Sequence, residues 1–373
     1  MMRSASLTLV GAVILLGTAA CDLHQKRSLQ NGYRGTGMDT IRDNLKAAAA
    51  DVPAPPYAPP APGGAPASSQ YQNLQVLGDV SADELSYTMA AMTQWIAPKE
   101  GCNYCHNPAN MASDEKYTKV VARRMLQMTR AINQKWSTHV GKVGVTCYTC
   151  HRGQYIPSEH WSLPADDPKS IVGNRHGQDN PTSNSAYSSL PNIAVAEYLT
   201  GLKTPRDIRV VSKTEHPTAA DQVSVMKTED TYALMMHITS ALGVNCTYCH
   251  NAQSFQQWST SNPPRATAWY GIRMVRDING AYITTLANVF PANRKGERGD
   301  PYKVNCTTCH RGLNKPLGGV AMSKDYRALT HGAYDQVTVP KLAPVPAAAP
   351  VPVTPPPAPP PSKSAAIKQA AGH

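Results

Sequence analysis

Cys102-Asn-Tyr-Cys105-His106, Cys147-Tyr-Thr-Cys150-His151, Cys246-Thr-Tyr-Cys249-His250 and Cys306-Thr-Thr-Cys309-His310 are four copies of one pentapeptide, Cys-x-x-Cys-His. Two thiols three residues apart can each form a thioether to a porphyrin vinyl group, and the next His then falls beneath the iron as its proximal ligand. A redox dithiol or a zinc knuckle needs no His in that place, and the fourfold recurrence selects covalent haem c at all four sites. The motifs use eight of the nine cysteines and leave only Cys21. No disulfide framework remains to be explained.

Composition agrees with a haem-filled interior. Aromatic residues make up 6% of the 373 positions, and Phe255 and Phe290 are the only phenylalanines. Porphyrins would supply the missing apolar bulk, so the haem-free chain is expected to fold poorly, as when a metal's binding energy is part of the folding energy. The net charge of +11 invites a nucleic-acid reading. Four haems would bring roughly eight propionates to offset it, and no dense Lys/Arg run tracks a phosphate backbone. No nucleic-acid partner is expected.

Along the chain, residues 1–21 form a secretory signal or membrane-anchor segment: Arg3, an apolar run from Ala5 to Ala20, then Cys21. Cys21 stands where a bacterial lipoprotein carries its lipidated cysteine, although Thr18 occupies the usual Leu position. The rival is an uncleaved anchor; sixteen apolar residues reach about 24 Å, at the short end for a spanning helix. Residues 22–70 read as a Pro-rich linker, with seven prolines between Pro53 and Pro66, and 339–373 as a Pro/Ala-rich tail with eleven between Pro340 and Pro361. The folded part is then 71–338.

Within it Met128-Thr-Arg-Ala-Ile-Asn133 matches Met274-Val-Arg-Asp-Ile-Asn279, 146 residues on, and the same offset carries Met89 onto Met235. The haem motifs pair likewise: the first and third end in His-Asn, the second and fourth in His-Arg-Gly. The fold class expected is mainly α: a multihaem cytochrome c built from two pseudo-repeated helix–haem pairs with Pro-rich termini. The halves fall at about 75–160 and 220–335, joined by a connector over 161–219. Apolar periodicity without internal Pro predicts helices over 84–96, 115–137, 229–242 and 266–288, the last weakened by Gly271 and Gly280.

The sixth iron ligand decides the chemistry. A haem with an open face can bind substrate, whereas one capped by a second protein ligand passes electrons. Thirteen methionines in so poor a core are therefore informative, since thioether opposite His raises the reduction potential. Met89 and Met235, the two that coincide under the repeat and precede the first and third motifs, are expected to ligate those haems. For the second and fourth haems the residues leave two solutions. The repeat alone selects Met128 and Met274. The other uses Met125 for the second and brings His139 to the fourth; 14 residues apart, one helix would present them about 21 Å apart on similar sides.

The strings Gly-Cys-Asn-Tyr-Cys-His-Asn107, Met-Thr-Arg-Ala-Ile-Asn133 followed by Trp136-Ser-Thr-His139, Val-Thr-Cys-Tyr-Thr-Cys-His-Arg-Gly153 and Trp269-Tyr-Gly-Ile-Arg-Met-Val-Arg-Asp-Ile-Asn279 resemble the tetrahaem cytochrome subunit of photosynthetic reaction centres of purple-type bacteria, over about 75–335. The resemblance implies three His/Met haems and one His/His haem. The distal ligands are then Met89, Met125, Met235 and His139, and Met128 and Met274 are left as packing. The same resemblance implies an electron carrier rather than an enzyme, anchored by its N-terminus at the periplasmic face of the inner photosynthetic membrane. There it would pass electrons from a soluble cytochrome c or high-potential iron–sulfur protein to the photo-oxidised bacteriochlorophyll special pair of the reaction-centre core. The third haem (His250) would lie nearest that core and the first (His106) farthest from it. Six acids between Asp79 and Glu115 against Lys99 suggest an acidic dock near the first haem for a cationic donor. Two alternatives follow from haem chemistry alone: a multihaem oxidoreductase with one open haem, and a periplasmic electron conduit without a photosynthetic partner.

Overall fold

The computed structural model describes residues 25–30, 39–163, 182–200, 208–210 and 224–334. The anchor segment with Cys21 and the tail 339–373 lie outside them. Helices dominate. An antiparallel hairpin, β1 (Lys26–Gln30) and β2 (Asp39–Asp43), runs into α1 (Asn44–Ala50). The Pro-rich stretch that follows lies against the body, where Tyr57 meets Tyr87 edge-on at 5.2 Å. Among the described residues no helix is long and apolar enough to cross a membrane.

The four expected helices form. α2 (Ala82–Ile96) begins at a capping box: Ser81 Oγ accepts the Glu84 amide and Glu84 accepts the Ser81 amide. It stops before Pro98, which disfavours helical backbone at Ala97. α3 (Tyr117–Lys135) has no interior Gly or Pro and buries Val120, Leu126 and Ile132. α7 (Val225–Leu242) ends at Gly243, whose φ of 63° supplies the left-handed cap. α8 (Pro264–Asp277) starts on proline and continues as a π-turn over Ile278–Ile283, earlier than the periodicity suggested. The second and fourth haem motifs are themselves short helices, α5 (Cys147–His151) and α9 (Cys306–His310). Between them in the chain lies α6 (Ala194–Leu199), and after them α10 (Arg327–Thr330).

Corresponding side chains close the two helix pairs in the same way. Asn133 donates to the carbonyls of Val145 and Leu329 and accepts the Val145 amide; Asn279 donates to Val304 and Leu199 and accepts the Val304 amide. Arg130 Nε donates to Ala328 O at 2.8 Å and Arg276 Nε to Tyr198 O at 3.0 Å. Each Asn thus pins the valine two residues before a haem motif. The closing segments are exchanged: α6 follows the first helix pair in sequence and closes the second, while α10 follows the second and closes the first.

Three apolar clusters result. One gathers Leu77, Tyr87, Trp95, Leu126, Tyr326 and Leu329; another gathers Val195, Tyr198, Leu199, Leu234, Ile238 and Ile272. The third, Ile132, Met274, Ile278 and Ile283, joins α3 to α8 and its π-turn. Beside it Asp277 accepts from Trp136 Nε1 and pairs with Lys135, both at 2.8 Å.

Candidate functional site

Each motif histidine is held by its own loop. Nδ1 meets the carbonyl of Met111 for His106 (3.1 Å), Gln154 for His151 (2.8 Å), Phe255 for His250 (2.8 Å) and Leu313 for His310 (2.8 Å). A carbonyl can only accept, so Nδ1 carries the proton and Nε2 keeps its lone pair, the tautomer a metal-bound imidazole requires. The reach is five residues in the first and third motifs and three in the second and fourth. Burial pushes the His151 and His310 pKa values down, the latter to about 4, which favours the neutral form a metal-binding imidazole needs.

His139 is not on α3. That helix ends at Trp136, whose amide bonds back to Ala131 at 3.4 Å, and His139 sits on a separate turn, α4 (Ser137–Val140). Its Nδ1 donates to Thr267 O at 2.9 Å, so it too presents Nε2. Its ring lies against Gly271, where a Cβ would come within 2.6 Å of Cε1. The His139 and His310 ring centroids are 6.2 Å apart. A metal–imidazole bond of about 2 Å, with ~1 Å from nitrogen to ring centre, sets two trans rings about 6 Å apart. That spacing would allow His139 and His310 to hold one iron.

Met89, Met125 and Met235 are half-buried, each at the edge of a different apolar cluster. Met128 shares the third cluster's edge with Met125, whereas Met274 is packed inside it at 8% exposure. One sequence signal separates them. Of the thirteen methionines, Met89, Met125 and Met235 alone have Thr four residues on, a position on the same helix face. The hydroxyls of Thr93 and Thr129 bond back to the carbonyls of Met89 and Met125 at 2.9 Å, and Thr239 to that of Met236 at 3.0 Å. Sequence reasoning also missed His237, a buried ring whose Nε2 accepts the Cys306 amide at 3.3 Å; burial holds its pKa down to about 4.

The motifs follow one another in space. Tyr104 of the first stacks on Tyr155 beyond the second at 5.4 Å, and Arg294 reaches both. Arg311, after the fourth, donates to the carbonyl of Cys150 at 3.0 Å, joining second to fourth. Asn314, after the fourth, donates to Tyr248 of the third at 3.1 Å.

Three of the six acids near the first motif are engaged internally: Asp79 with Arg130, Glu84 in its capping box, and Asp114 with Arg123 and Lys119. The Arg123 guanidinium holds Asp114 down to about 2. Asp83, Glu100 and Glu115 remain exposed, the last accepting from Asn107 Nδ2 at 2.7 Å.

The profile of the photosynthetic reaction centre cytochrome c subunit family matches residues 23–330. The photosynthetic reaction center cytochrome c subunit of Rubrivivax gelatinosus is 46% identical over 335 residues, covering 88% of this chain and 90% of that protein. Its counterpart in Thermochromatium tepidum is 44% identical over 344 residues, 91% of this chain and 83% of the relative. That of Roseobacter denitrificans is 39% identical over 331 residues, with shares of 85% and 88%. With a profile match across most of its length and relatives of this identity, the chain belongs to the photosynthetic reaction centre cytochrome c subunit family.

Proposed function

We propose that this electron-transfer subunit of a photosynthetic reaction centre holds four haems c in two pseudo-repeated pairs and passes electrons along them, from a soluble periplasmic donor to the photo-oxidised bacteriochlorophyll special pair. Covalent haem c supplies reversible one-electron iron chemistry when bound. The chain's residues attach, orient and cap it. Cys102/Cys105, Cys147/Cys150, Cys246/Cys249 and Cys306/Cys309 anchor the four groups, with His106, His151, His250 and His310 as proximal ligands. Met89, Met125 and Met235 cap the first three, and His139 caps the fourth.

The observation that carries this reading is the His139–His310 pair, 6.2 Å between centroids over the floor that Gly271 leaves open. It accounts for a glycine where the repeat has Met125: the second half receives its sixth ligand from the first. With every iron capped, the site would act as a wire, which favours electron transfer over the oxidoreductase alternative. The packing of Met274 and the Thr shared by Met89, Met125 and Met235 support the same ligand set.

The motif contacts run first, second, fourth, third. Gln25 supports the orientation. Its side chain donates to Leu242 O and Gly243 O at 2.9 and 2.6 Å and accepts the Asn314 amide at 2.9 Å. Four residues span at most about 14 Å, so a lipid or helical anchor at Cys21 holds the third-haem end close to the membrane and the reaction-centre core. The first haem then faces the donor, a soluble cytochrome c or a high-potential iron–sulfur protein, across a surface carrying Asp83, Glu100 and Glu115.

Pyridine haemochrome and near-infrared magnetic circular dichroism of the purified complex test the site. Four haems per chain, three His/Met and one bis-His, are expected. A five-coordinate haem in the native protein would restore the enzyme alternative.

A further inference from the structure

The threonines one turn after the capping methionines follow the ligand rather than the helix. Under the 146-residue offset Met89 and Thr93 recur together, as Met235 and Thr239. Met125 and Thr129 are replaced together, by Gly271 and Val275. Met128, which the repeat keeps as Met274, has isoleucine at that place in both halves, Ile132 and Ile278. Thr129 and Val275 are the informative pair. They are alike in shape and almost equally buried, at 4% and 6% exposure. The hydroxyl is what separates them, and it is present only where the methionine is.

That hydroxyl touches the ligand residue itself. Thr93 Oγ1 donates to the carbonyl of Met89 and Thr129 Oγ1 to that of Met125, both at 2.9 Å. In an α-helix the same carbonyl accepts the amide of the same threonine, so one neighbour holds the methionine backbone twice. A hydroxyl bonded back four residues adjusts the local bend of a helix, and the backbone there sets the direction in which the methionine side chain leaves it. Methionine, with three rotatable bonds, specifies its own placement poorly. Back-bonding alone is ordinary: Ser86 and Thr88 donate to Ala82 and Glu84 on the same helix as Met89. The acceptor makes the difference. Thr239 sits in the last turn of α7, where Gly243 bonds back only three residues to Ser240, and its hydroxyl likewise takes the nearer carbonyl, that of Met236, at 3.0 Å.

We propose that Thr93 and Thr129 are positioning residues for the first and second haems, their hydroxyls acting through the carbonyls of Met89 and Met125 to hold each thioether in its capping orientation. The proposal rests on the assignment of those methionines as sixth ligands, which the experiment tests first.

The experiment is carbon monoxide uptake by the reduced, purified reaction-centre complex, since this probe enters a six-coordinate haem only while its sixth ligand is off. Near-infrared magnetic circular dichroism of the oxidised complex reports methionine ligation in parallel. Met89→Leu and Met125→Leu each open one haem to carbon monoxide; if neither does, the ligand assignment itself fails. Given that opening, Thr93→Val and Thr129→Val keep the shape, lose the hydroxyl, and raise the uptake rate of one His/Met haem by about threefold, the factor gained when one torsion is released among three staggered wells. Thr93→Ser and Thr129→Ser keep the hydroxyl and the wild-type rate. Ser86→Ala, which removes a back-bond from α2 away from the ligand's carbonyl, leaves the rate unchanged. Thr239→Val, whose hydroxyl lies one carbonyl away, gives a smaller rise than the other two valine variants. Wild-type uptake in both of those variants, a Ser variant as fast as its Val counterpart, or an equal rise in Ser86→Ala or Thr239→Val overturns the proposal. Haem content equal to wild type is required for each comparison; if buried Thr129→Val loses haem, half-buried Thr93 decides alone.

Discussion

At Gly271 the backbone gives way to a side chain from the other half. A Cβ there would come within 2.6 Å of His139 Cε1, below normal van der Waals contact. Gly271→Ala therefore displaces the imidazole, and the bis-His signature of the fourth haem is expected to disappear from magnetic circular dichroism while the three His/Met haems persist. A retained bis-His signal would contradict the assignment. The methionines give the complementary test. Met274 lies within a cluster of isoleucines, so Met274→Leu leaves all four haems low-spin, whereas Met125→Leu removes a sixth ligand and produces a high-spin haem in the absorption spectrum. The proposed attachment cysteines and proximal histidines are read from the sequence alone because their chemistry is local. The proposed distal ligands are harder to read: the repeat by itself selects Met128 and Met274, and it cannot show that His139 lies against Gly271. The Thr at i+4 was present in the sequence and unread.

Among the elements, the helices were legible because apolar spacing and Pro placement are local properties. The exchanged closing segments were not, because Asn133 and Asn279 bind carbonyls of Leu329 and Leu199, 196 and 80 residues away. Asn133→Ala removes three hydrogen bonds to partly buried backbone groups, a loss of about 2–4 kcal/mol when the partners stay unpaired. It is expected to lower the melting temperature of the haem-loaded protein and to impair attachment at Cys147 and Cys150 before attachment at Cys246 and Cys249. Truncation ahead of α10 should act on the same half; haem stoichiometry by mass spectrometry reads both. The Asp114 knot with Arg123 and Lys119 adds a pH dependence. Its carboxyl is held at about 2 against an ordinary 3.8, so the contribution is full above about pH 4 and fades as the pH falls towards 2. At 31% side-chain exposure solvent screens it, and Asp114→Asn is expected to reduce the acid sensitivity of the first-haem loop only modestly.

For the whole molecule, the closing helices α6 and α10 tie the two halves together, and the proposed haems would complete their interior. Haem-free chain is expected to lack native helix content and cooperative melting, tested by circular dichroism of protein made without haem attachment; native-like melting would show that the side chains suffice. The surface near the first motif is less acidic than the residue count between Asp79 and Glu115 suggested, since internal ion pairs and a helix cap use half of those carboxylates. Electron transfer from a cationic cytochrome should therefore slow with rising ionic strength, but weakly. A steep dependence would require charges beyond Asp83, Glu100 and Glu115. The central claim is that the four sites form a wire to the photo-oxidised pair. Flash spectroscopy on isolated membranes, with all haems reduced beforehand and the cytochrome α-band followed after a pulse absorbed by bacteriochlorophyll, tests it most directly. Oxidation of a c-type haem within microseconds, matched by re-reduction of the pair, is the expected result; the absence of any light-driven haem oxidation would contradict it.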